Sequence, residues 1–120
     1  MGSQTLATTW IELQKVPQDS PEAESMMWAA EELNSLTLDS PSDCWYTVLE
    51  ILELTDDDWV LTNLGTGPLE NLLVLEPQLT IDLIEAALPA KERLARALND
   101  VWQSLMPDEV WNQLQRLTAT

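Results

Sequence analysis

The sequence predicts an all-α fold, a compact single domain of about seven to eight short helices packed as helical hairpins. Three observations predict it. Leu dominates the apolar residues, with no Phe and few Val or Ile, a composition that favours helix over strand. Prolines 17, 21, 41, 68, 77, 89 and 107 cut the chain into short pieces with helical apolar spacing. A length of 120 residues with 45% apolar content fits one modest core.

Each piece can be justified in order. The first helix is expected over about Gln4–Lys15, with Leu6, Trp10 and Leu13 on one face. Residues 1–5 are expected to be disordered where they precede it. The second is expected over about Pro21–Leu36, opened by the cap residue Ser20 and a proline at the first helical position. Met26, Ala29, Ala30, Leu33 and Leu36 have core spacing in it. The third is expected over about Pro41–Leu54. Ser40 and Asp43 have the spacing of a capping box there, with Asp in place of Glu, and Trp45, Val48, Leu49 and Leu52 face inward.

The stretch TDDDWVLTNLGTGP (55–68) follows. Thr55 reads as a cap paired with Asp58, and Asp56, Asp57 and Asp58 as the first turn of a short helix, where the exposed N–H groups favour negative charge. Trp59, Val60, Leu61 and Leu64 supply its buried side. Gly65 is expected to end it in a left-handed cap, and Gly67-Pro68 to restart the chain. A further pair is expected over about Pro68–Leu75 and Gln78–Leu88, then helices over about Ala90–Leu105 and Pro107–Leu117.

The same stretch also suggests a metal site and a phosphate loop. Three consecutive helical residues fan out over most of a turn and cannot converge on one ion, and no EF-hand spacing follows them. The GTG at 65–67 lacks the rest of a Walker motif, and no strand precedes it. No metal, cofactor or catalytic residue is assigned. The chain has no His and a single cysteine, Cys44, which excludes Cys/His zinc sites, internal disulfides and His-dependent nucleophilic catalysis. Cys44 is expected to be a half-buried structural thiol. Carboxylate pairs such as Glu50/Glu53 and Asp82/Glu85 share helix faces and read as solvated surface rather than acid–base dyads.

Six tryptophans, at 10, 28, 45, 59, 102 and 111, fall roughly one per helix. Without Phe they are expected to be the large core fillers, with Trp59 and Trp111 partly exposed. The net charge is −16 and its placement is lopsided. Residues 16–90 hold sixteen acids, from Asp19 to Glu85, and no Lys or Arg. The two ends cancel internally, so the whole net charge lies on the middle of the chain. That pattern argues against direct binding to nucleic acid or to anionic membrane, and makes a basic protein surface the natural complement. The N-terminus shows no secretory signal and no apolar run is long enough to span a bilayer, so the expected setting is the cytoplasm.

The segments WIELQKVPQDSPEAESMMWAAEELNSL (10–36), GPLENLL (67–73), IDLIEAA (81–87) and VWQSLMPDEVW (101–111) occur in an order and spacing that resembles a bacterial small-protein domain family of unknown function. The resemblance runs from about Thr9 to Leu117. It implies one intact domain and brings no catalytic residues. The chain departs from the family pattern in keeping only Lys91, Arg93 and Arg96 where a basic patch is expected. The expected function is a non-enzymatic interaction module, of inhibitor or immunity type or mimicking nucleic-acid charge. It would dock on a basic partner through Glu50, Glu53, Asp56, Asp57, Asp58 and Trp59. The alternative is a structural or adaptor subunit that binds through an apolar helical face.

Overall fold

The computed structural model describes residues 3–88, 92–103 and 105–118, all helix, turn or connector with no strand among them. Eight α-helices follow in order: α1 (Ser3–Gln14), α2 (Pro21–Asp39), α3 (Pro41–Leu54), α4 (Asp58–Leu64), α5 (Glu70–Leu75), α6 (Pro77–Ala87), α7 (Glu92–Leu98) and α8 (Asp108–Thr118). The Cα radius of gyration is 13.8 Å, close to the ~13.6 Å expected of a compact chain of this size.

The amphipathic spacing sets which faces meet. Leu6, Ala7, Trp10 and Ile11 of α1 are buried against the α2–α3 hairpin. Ala29 and Leu33 of α2 and Trp45, Val48, Ile51 and Leu52 of α3 complete that layer. α6 packs on α5 and on α8, and α7 packs on α4. The small proportion of polar groups taken inside is satisfied locally. Thr37, Thr47 and Thr80 each donate to a carbonyl of the helical turn preceding them, those of Leu33, Asp43 and Glu76.

The helix starts partly follow the sequence reading. Ser20 is the N-cap of α2, and its hydroxyl accepts from the Ala23 N–H at 3.1 Å. α2 runs on to Asp39 because Thr37 faces the core rather than a turn. Ser40 does open α3, but it caps no backbone N–H with its side chain. Its hydroxyl donates to Asp43 Oδ2 at 2.8 Å, so the two side chains of the expected box satisfy each other.

The 55–68 stretch differs most from its reading. Thr55 ends α3, and Asp57 is the N-cap of α4, with Oδ1 accepting from Val60 N–H at 3.1 Å. Only Asp58 lies in the first turn. Gly65 is right-handed helical (φ −66°, ψ −48°), not a left-handed cap. The helix continues through a π-helical turn, Gly65–Leu69, directly into α5. The wider turn accommodates Pro68, which lacks an N–H and would crowd the carbonyl four residues back in a regular helix. Gly65 answers a different demand. A Cβ there would lie 2.1 Å from the Ala97 carbonyl oxygen, so only glycine lets α7 approach this closely.

The expected helix over about Ala90–Leu105 is shorter than its reading. Ala90 and Lys91 lie outside the described residues, and α7 ends at Leu98. Asn99 and Asp100 form a turn whose N–H groups still donate to the Ala95 and Ala97 carbonyls of α7, while Asp100 Oδ2 accepts from the Thr62 hydroxyl at 3.1 Å. Beyond it the Trp102 N–H donates to Glu70 Oε1 at 3.0 Å instead of to its own helix. Trp102 is consequently 71% exposed rather than a core filler.

Candidate functional site

A concavity runs along the outer side of the α2–α3 hairpin. Its α2 wall carries Trp28, Glu32 and Leu36, four residues apart and so on one helical stripe. Its α3 wall carries Asp43, Tyr46, Thr47, Leu49, Glu50 and Glu53, and Leu6 of α1 contributes to the floor. The groove encloses about 730 Å³. Trp28, Leu36 and Leu49 are half-buried against the core below it, and Tyr46 is 62% exposed. Four carboxylates therefore surround an apolar floor, and the described lining residues include no Lys or Arg.

The aspartate corner is built differently. Arg93 from α7 donates to the carbonyls of Leu52 at 2.8 Å, Thr55 at 3.3 Å and Glu53 at 3.4 Å. A cation so placed satisfies the orphan carbonyls at the end of α3 and complements its dipole. Arg96 donates to the Asp56 carbonyl at 3.2 Å and forms an ion pair with Asp58. Two of the three arginines of the charge-balanced C-terminal part, Arg93 and Arg96, thus fold back onto the acidic middle, which is less uncompensated in three dimensions than along the chain.

The six expected contact residues are accordingly divided. Glu50 and Glu53 line the groove. Asp57 spends its side chain on the α4 cap, and Asp58 is paired with Arg96. Asp56 is exposed beside them. Trp59 donates from Nε1 to the Gln14 carbonyl at 3.0 Å, which ties α4 to the end of α1 while leaving the residue 61% exposed. Trp111 is half-buried against the core.

Trp28, Glu32, Leu36, Asp43, Tyr46 and Leu49 were not singled out as a site by their sequence. The one available signal was Tyr46, an aromatic on the polar side of α3, three residues from Asp43 and four from Glu50. Cys44 is fully buried rather than half-buried, and faces the Thr37 hydroxyl at 3.3 Å. Burial pushes its thiol pKa up, and the Thr37 hydrogen bond offsets this in part. It is thus a poor nucleophile. Among the described residues no group of three or more carboxylate or thiol side chains is arranged to hold a metal ion. None of their helices is long and apolar enough to cross a membrane.

Comparison with known protein families matches residues 16–120 to DUF6869, a family of unknown function. The chain belongs to this family. The match takes in both walls of the α2–α3 groove and the arginine-held corner, and leaves out all of α1. No curated protein and no solved structure matches the chain.

Proposed function

We propose that this protein is a non-enzymatic acidic interaction module that binds a basic surface of a partner protein, acting as an inhibitor or immunity-type protein or as a mimic of nucleic-acid charge. The observation that carries this reading is the set of four carboxylates around the apolar α2–α3 groove. A merely solubilising surface has no need of an apolar floor between its charges. An array of carboxylates can compete for the Lys and Arg that would otherwise hold phosphates, and the net charge of −16 would speed encounter with such a surface. The exposed ring of Trp59 beside Asp56 is a second anchor on the same acidic side of the sequence. The compartment that goes with this reading is the cytoplasm.

A second reading, a structural or adaptor subunit, is favoured by one observation. Trp102 and Leu105 are both strongly exposed in the connector between α7 and α8. Affinity capture from host lysate separates the two. Wild type and a Glu32→Lys/Asp43→Lys variant would be compared at low and high salt, with bound proteins identified by mass spectrometry. The proposal expects a basic protein that wild type holds at low salt and loses at high salt, and that the variant does not hold. A partner retained equally by both proteins at high salt overturns it in favour of the adaptor reading.

A further inference from the structure

We infer that the α2–α3 groove receives an amphipathic helix of the partner, with an apolar stripe seated on Leu36, Leu49 and Trp28 and Lys or Arg residues along both flanks. The inference rests on the interaction-module reading above and specifies what that module binds.

Four features of the groove lead to this occupant. Its floor is apolar, so a bound chain must satisfy its own backbone polar groups there. An extended peptide would need a strand edge to pair with, and the described residues form no strand. A helix carries its hydrogen bonds internally and needs only a groove between helices. The length also suits it. Asp43 and Glu53 mark the ends of the α3 wall. At 1.5 Å per residue the wall is about 15 Å long, room for roughly three turns of a partner helix.

Charge chooses the flanks. Glu32 stands on one wall, and Asp43, Glu50 and Glu53 stand on the other. Basic residues on the two flanks of the partner helix would meet Glu32 on the α2 wall and Asp43 on the α3 wall. A helix with acidic flanks is rejected by like-charge contact. Repulsion between two chains of net charge −16 makes a second copy of this chain the poorer occupant. Tyr46, exposed on the α3 wall, is the aromatic positioned to close over the bound helix.

The test uses the full chain and two labelled synthetic peptides. One is a stapled Leu/Lys amphipathic helix with its lysines on both flanks of a leucine stripe, and the other has the same composition scrambled. Affinity is read by fluorescence anisotropy at low salt, and the site by amide shifts of the isotopically labelled protein. The helical peptide should bind about tenfold more tightly than the scrambled one, as expected where an apolar anchor adds to charge. Its shifts should centre on α2 and α3. Tyr46→Ala and Glu32→Lys, both at exposed positions, should each weaken it by about tenfold while leaving the far-ultraviolet circular dichroism unchanged. Equal binding of both peptides, or shifts centred on another face, overturns the groove inference and leaves the acidic-surface reading standing. If neither peptide binds at low salt, both are overturned.

Discussion

Two glycines two positions apart should respond to alanine very differently. An ideal Cβ at Gly65 would lie 2.1 Å from the Ala97 oxygen, 3.1 Å from its carbonyl carbon and 3.4 Å from Asp100 Cβ. The obstacle is backbone, so no rotamer change relieves it. α7 and the π-helical turn must part by about 1.3 Å or more to restore an ordinary contact distance. Overpacking of this kind costs about 1–3 kcal/mol, and a rigid backbone neighbour places this site at the upper end. Replacing glycine within a helix returns up to about 1 kcal/mol through lost unfolded-state entropy. The net for Gly65→Ala is a destabilisation of about 2 kcal/mol, a fall in Tm of about 8 °C for a domain of this size. At Gly67 nothing beyond its chain neighbours lies within 4 Å of the added methyl group. Gly67→Ala should gain about 0.4–1 kcal/mol in entropy, offset by the crowding of a Cβ against the Pro68 ring in helical geometry, so its net change should be small beside that of Gly65→Ala. Urea unfolding followed by tryptophan fluorescence, with thermal melts by circular dichroism, measures both. Equal stabilisation by the two substitutions would refute the close crossing of α7 over Gly65, and with it the account of why the helix runs through that residue.

Other perturbations probe the remaining contacts. Arg93→Met removes a cation from the end of α3 and should cost about 1.5–3 kcal/mol in urea unfolding, as expected for charged hydrogen bonds to carbonyls. Asp57→Ala, which strips the α4 cap, should cost about 1 kcal/mol, and Asp58→Ala, which breaks an exposed ion pair, less than that. Cys44 should react with a thiol reagent only at the rate of unfolding. Because its folded pKa is raised, the folded state holds the proton longer than the unfolded chain does. Its contribution to stability is therefore constant below the ordinary thiol range and is lost as pH rises through and above it; a Cys44→Ala control should lack that alkaline loss. Added sodium chloride should raise the Tm at neutral pH, because screening relieves repulsion among the excess carboxylates.

The helical class and the starts of α2 at Pro21 and α3 at Pro41 were legible because each rests on local physics. Ser20 needs only its own chain to cap Ala23, and the apolar spacing of α3 needs only the helical period to select Trp45, Val48 and Leu52. The absence of His and the placement of the acids are properties of the sequence alone, and they limit the chemistry without naming a partner. Tertiary structure decided the rest. Gly65 and Pro68 look like a stop and a restart when read locally. They became the interior of a continuous helix because α7 crosses at Gly65 and a π-helical turn relieves Pro68. Arg93 and Arg96 read as part of a balanced C-terminal segment, and only folding carried them about forty residues back along the chain to α3 and Asp58. The groove combines a stripe of α2 with a stripe of α3, and neither helix discloses it alone. Periodicity assigns residues to faces of one helix, whereas a site between helices depends on which faces are left uncovered after packing.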